Sequence, residues 1–148
     1  MFLYQARRLK ELIEGILQCC QMQTGFLSRK FQIPQAELRC LLLFHGERYL
    51  TVKGIAQKLD VAKSRVTKIV NGLVEKKLVE SIDDPKDARV RLISLTPTGH
   101  SQCEEIGEYI WATHEKLLLE LDPEQRKIVL SALDMLRVGM EAVKKGLV

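Results

Sequence analysis

The sequence predicts a mainly α-helical fold with one small β-hairpin. Three observations predict it. Aliphatic residues recur at helical spacing along most of the chain, proline and capping residues cut that pattern into segments, and one short β-branched stretch is folded back by turn chemistry. At 148 residues the chain has the size of one domain or one compact protomer. Hydrophobic residues make up 46% and charged residues 28%, so a folded core is expected. Aromatics reach only 5%, which leaves Leu, Ile and Val to fill that core and suits helices packed on helices.

The elements follow in order. Residues 2–24 carry Leu9, Leu12, Ile13, Ile16, Leu17 and Cys20 on one face of a long helix, with Gly25 expected to end or interrupt it. Pro34 opens a second helix at its first turn, where a missing N–H costs little, and the nearly all-apolar run LRCLLLF makes that helix central. It stops near Gly46. Thr51 is a good N-cap for a short helix, VKGIAQKL, with Ile55, Ala56 and Leu59 inward. Asp60-Val61-Ala62 turns into a further helix from about Lys63 to Lys76, whose inward face is Val66, Ile69, Val70, Leu73 and Val74. Residues 78–82 and 89–95 are short and rich in β-branched or apolar residues, and the intervening DDPKDA is turn chemistry, so they form an antiparallel hairpin. Thr96 and Pro97 restart a helix that extends to about Leu121, and Asp122-Pro123-Glu124-Gln125 repeats the same device. The last helix carries Ile128, Val129, Ala132, Leu133, Leu136, Met140 and Val143 on a broad stripe.

Charge and motif content bound the function. The net charge of +4 is mildly basic, and between Lys58 and Arg91 nine Lys/Arg face six Asp/Glu. No apolar run approaches the roughly 20 residues of a membrane span, and the opening MFLYQARRLKELIEG lacks a secretory cleavage pattern, so a cytoplasmic address without membrane partners is expected. There is no Gly-rich phosphate loop, no G-x-S-x-G and no metal-ligand cluster, so neither an enzyme nor a cofactor is expected. The four cysteines contain no CxxC, and His45, His100 and His114 are scattered without an HxxxH pair. Cys19, Cys20, Cys40 and Glu37 could converge on a metal only through the fold, and no metal site is expected.

The stretch LTVKGIAQKLDVAKSRVTKIVNGLVEKKLVE resembles a winged helix-turn-helix. DARVRLISLTPTG resembles the wing signature D-x-R-x(5)-L-T-x-x-G of the MarR/SlyA transcriptional regulators, with Asp87, Arg89, Leu95, Thr96 and Gly99 at the matching positions. The order of elements is similar over essentially the whole chain. The resemblance implies a winged helix-turn-helix with long N- and C-terminal dimerisation helices. Residues 1–33 and 97–148 would dimerise, and residues 34–96 would bind DNA. It further implies a bacterial homodimer that binds a pseudo-palindromic operator in double-stranded DNA, expected as a repressor, relieved by a small-molecule effector or by oxidation. Two departures stand out. Ala62 replaces the serine that often caps the recognition helix, at a cost of about 1 kcal/mol, and Lys77 replaces the glycine that usually precedes the first wing strand.

The recognition helix would enter the major groove with Lys63, Ser64, Arg65, Thr67 and Lys68 at the base edges. Glu75 is the one acid on that face and lies far from the entering end. In the wing, Arg89 would reach into a minor groove, Asp87 would hold its guanidinium by charge-assisted hydrogen bonds, and Lys86 and Arg91 would add phosphate contacts. A solvated helix face and an idle hairpin tip are the plain alternatives. The terminal stripes are filled either by a second copy or by a single-protomer core. Cys19 and Cys20 are candidate redox residues, weighed against an ordinary role as small hydrophobes. Phe44, Tyr109 and Trp111 are candidate lining residues of an effector pocket, weighed against a role in the core. A redox-sensing regulator, or a winged-helix protein–protein module that binds no DNA, is the alternative reading.

Overall fold

The computed structural model describes residues 1–147, in the order α1 (Phe2–Phe31), α2 (Gln35–Leu42), β1 (Leu50–Thr51), α3 (Val52–Leu59), α4 (Lys63–Glu75), β2 (Val79–Asp83), β3 (Arg91–Leu95), α5 (Pro97–Leu119) and α6 (Pro123–Gly146). Met1–Ile106 form one compact unit, and a second begins at Gly107. No described helix is long and apolar enough to cross a membrane.

In the first unit α2, α3 and α4 pack around a common core in which Leu38, Leu41, Ile55, Val66, Val70 and Leu73 are fully buried. The sheet order is β1-β3-β2, all antiparallel, with Val79 opposite Leu95 and Asp83 opposite Arg91. Ile93 of β3, in the central strand, is also fully buried and attaches the sheet to the helical core. The two-residue strand β1 is absent from the sequence reading because two residues show no alternation, and Thr51 reads there only as a cap. It is both. Thr51 pairs with Leu92, and its hydroxyl accepts from the Gly54 amide at 2.9 Å.

The expected stop at Gly25 is overturned. α1 continues to Phe31, because Gly25 is buried and its bare Cα lets Arg29 and Gln35 approach to 3.3 and 3.7 Å of where a Cβ would stand. The helix ends instead at Gln32, in a left-handed conformation (φ 54°), with the Ile33 amide donating to Ser28 O and the Ser28 hydroxyl donating to Ile33 O at 2.6 Å. Pro34 stands one position earlier than expected, as the N-cap of α2 rather than in its first turn. Val74 is 38% exposed rather than inward, since it lies at the edge of the apolar stripe one residue before α4 ends.

Helices α1, α3 and α4 all close on a left-handed non-glycine residue: Gln32, Asp60 and Lys77. At each, the following amide donates five residues back, Ile33 to Ser28, Val61 to Ala56 and Leu78 to Leu73. This is the closure that glycine usually makes, and each substitute carries a steric cost of about 1 kcal/mol.

In the second unit the turn between α5 and α6 is a full capping box. The Asp122 carboxylate accepts from the Gln125 amide at 2.9 Å, and the Gln125 side chain accepts from the Asp122 amide at 3.0 Å. Arg126 Nε donates to Leu118 O at 2.7 Å and ties the start of α6 to the end of α5. No residue of α6 is buried. Ile128, Leu133, Met140 and Val143 are between 46% and 65% exposed, and Leu9, Leu12, Ile16 and Leu17 of α1 are between 45% and 54% exposed.

Candidate nucleic-acid interface

The start of α4 is built to be positive. Ala62 stands at its N-cap in extended conformation and provides no side-chain oxygen, and no acid lies in the first turn. The positive end of the helix dipole is therefore neutralised by nothing of its own. Lys63, Ser64, Arg65 and Lys68 are exposed there. Thr67 is half-buried, and its hydroxyl donates back to Lys63 O at 3.1 Å. Ser64, Arg65 and Lys68 line an open basin against Ala36 and Glu37 of α2. The buried stripe Val66, Ile69, Val70 and Leu73 fixes which way these side chains point.

Glu37 has a role that the sequence does not disclose. Its carboxylate accepts from Lys76 Nζ at 2.8 Å and sits so close to Gly72 that a Cβ there would meet it at 2.9 Å. The pair clamps α2 to the end of α4 across 39 residues of chain. That separation hides it from any local pattern; the glycine in mid-helix is the one visible trace.

The wing tip is ordered by its acids. The Asp84 amide donates to Val90 O at 2.8 Å, and the Asp84 carboxylate accepts from the Lys86 amide at 2.9 Å, which makes the turn. One oxygen of Asp87 accepts twice from the same residue, from the Arg89 amide at 3.0 Å and from Arg89 Nε at 3.2 Å. The Arg89 side chain is 92% exposed. It is thus held at its root and free at its tip. Lys86 is exposed as well. Arg91 differs, since its Nε donates to Ser81 across the β2–β3 pair and its side chain lies along the sheet.

The remaining candidates are dispersed. Cys19 and Cys20 are exposed on α1. Cys40 is buried, and burial, with the Glu37 carboxylate adding to it, pushes its thiol up to about 12. Burial pushes Cys103 up to about 11, and its Sγ lies 3.6 Å from Leu41 O. Both stay protonated near neutral pH and are poor nucleophiles. Phe44 is 2% exposed in the core of the first unit. In the second unit Tyr109 is 39% and Trp111 69% exposed, with the indole donating to Glu115 at 2.6 Å. Among the described residues no group of three or more His, Cys, Asp or Glu is placed to hold a metal ion.

Residues 31–90 match the model of the MarR family. The chain is 30% identical over 92 residues to the transcriptional regulator AdcR of Streptococcus pneumoniae, covering 60% of this chain and 63% of that protein's length. Its fold is similar to that of a MarR family protein from Bacillus stearothermophilus, with a TM-score of 0.85 at 22% identity over 95% of this chain and 99% of the other. A cysteine-to-serine variant of MarR from E. coli, solved in complex with operator DNA, superposes with a TM-score of 0.70 at 22% identity, over 86% of this chain and 92% of that one. The matched segment holds α2, α3, α4 and the wing tip, and the fold as a whole is similar to that of these solved MarR family structures.

Proposed function

We propose that the protein is a transcriptional regulator that binds double-stranded DNA as a homodimer and acts as a repressor, with relief by a small ligand or by oxidation. The observation that carries this reading is the pairing of two exposed cationic elements on one scaffold. One is the acid-free, uncapped start of α4 with Lys63, Arg65 and Lys68, and the other is Arg89, anchored by Asp87 and 92% exposed. A helix N-terminus with cations suits a major groove lined by phosphates, and a rooted, free-tipped arginine suits a minor groove. Ser64 and Thr67 supply hydroxyls to the same face, and Lys86 adds a second cation at the wing. Arg91 serves phosphate through whatever part of its guanidinium Ser81 leaves free. Operator DNA in the complex of the E. coli MarR variant supports this reading by analogy of fold.

The exposed stripes of α1 and α6 support the homodimer, with residues 1–33 and 97–148 as its dimerisation region. Burying such apolar surface contributes about 25 cal/mol per Å2. Two-fold symmetry would set the two α4 helices about one DNA turn, ~34 Å, apart. For relief, exposed Cys19 and Cys20 are the thiols open to an oxidant, and Tyr109 and Trp111 offer aromatic surface to a ligand. Sedimentation velocity tests the assembly: at micromolar concentration the expected species is a dimer, which takes up one duplex of about 20 base pairs. A monomer that leaves the duplex unbound contradicts the proposal.

A further inference from the structure

The end of the wing signature forms a junction in which one hydroxyl joins three elements. Thr96 follows β3 directly and precedes α5. Its Oγ1 donates to Lys77 O at 2.7 Å and accepts from the Gly99 amide at 2.9 Å. Its own amide donates to Leu78 O at 3.1 Å. Lys77 is the left-handed residue (φ 59°) that closes α4, with its amide on Val74 O at 2.9 Å and the Leu78 amide on Leu73 O at 3.0 Å. The corner where the recognition helix hands over to the wing is thus strained by its own residue type. It is clamped from outside by a side chain that also caps α5. A hydroxyl suits this place because it donates one bond and accepts another from a single atom. Carboxylates accept only, and a methyl does neither.

Both elements proposed to contact DNA depend on this corner. α4 enters it, and β2 leaves it toward the tip that carries Arg89. We propose that Thr96 is a positioning residue for DNA binding: its hydroxyl pins the Lys77 carbonyl, fixes the angle between α4 and the wing, and so sets affinity for a duplex it does not touch. This inference rests on the DNA-binding reading above. An affinity that needs two elements to engage neighbouring grooves together is sensitive to small errors in their mutual angle.

The experiment uses the full chain carrying Thr96→Val, which keeps the shape and removes the hydroxyl, and Thr96→Ser, which keeps the hydroxyl. Binding to duplex DNA and amide hydrogen exchange are both measured. Thr96→Val is expected to weaken binding about tenfold, the size of one lost positioning bond, and Thr96→Ser to restore it. Exchange of the Asp84 and Val90 amides at the wing is expected to quicken in the valine variant, with α3 unchanged. If Thr96→Val loses global stability, Lys77→Gly is added, which relieves the left-handed strain at the same corner. Affinity that stays low in the restabilised double variant supports the pin, whereas affinity that returns with stability overturns it. Wild-type affinity in Thr96→Val, or wing exchange equal to that of the serine variant, also overturns it. If the wild-type chain binds no duplex, the proposed function fails, and the exchange comparison still decides whether Thr96 pins the wing.

Discussion

Replacement of Arg89 by alanine is expected to weaken duplex binding by roughly a hundredfold, about tenfold for each wing of a symmetric dimer, and to leave thermal stability unchanged. The two halves of that expectation come from the same geometry. The Arg89 side chain is 92% exposed and its ion-pair partner Asp87 is 41% exposed, so its loss empties no core and orphans no buried charge. What is lost is a cation whose tip is presented to solvent while its base is held by Nε and amide bonds to one carboxylate oxygen. Affinity measured beside a melting curve separates the effects. Equal affinity at physiological salt would remove the wing from the interface, and a large fall in melting temperature would show that Arg89 supports the hairpin instead.

The second large effect falls on stability. Gly99→Ala is expected to cost on the order of 3 kcal/mol or more, and so to lower the melting temperature by roughly 10 °C, or to prevent folding altogether. A Cβ at this position would stand 1.9 Å from the Leu78 carbonyl oxygen. That oxygen cannot step aside, because it accepts the Thr96 amide at 3.1 Å and belongs to the corner that closes α4. The neighbouring exposed Thr98→Ala is expected to change stability by less than about 0.5 kcal/mol. A Gly99→Ala variant that melts with the wild type would mean that the start of α5 stands farther from the Leu78 carbonyl than the 1.9 Å to a built Cβ implies.

Much of this arrangement was legible in the sequence, and what was not has physical reasons. The period of Val66, Ile69, Val70 and Leu73 fixes the buried face of α4, and hence the outward face with Lys63, Arg65 and Lys68, because burial of aliphatic side chains dominates a helix's orientation. Capping chemistry located Thr51, Thr96 and Asp122, since a side-chain oxygen meeting the N3 amide is a purely local event. Gly25 misled because its helical cost is local while the compensation, close approach of Gln35, comes from beyond the helix. The Glu37–Lys76 pair and the Arg91–Ser81 bond were invisible because their partners meet only after folding. The wing motif was readable as a pattern, yet its parts do different work. Asp87 and Arg89 form the tip, whereas Thr96 and Gly99 belong to a packing junction at the base. The apparent defects at Ala62 and Lys77 also change meaning. An uncapped start leaves the positive end of α4 open, and the strained corner is held by Thr96 from outside.

The measurement that tests the central claim most directly is the salt dependence of duplex binding by the intact protein. If the starts of two α4 helices and two wings together neutralise about six phosphates, affinity should fall roughly a thousandfold between 50 and 200 mM salt, along a straight line of log affinity against log salt. An absence of affinity for duplex DNA at 50 mM salt, or an affinity that stays flat across that range, would contradict the account.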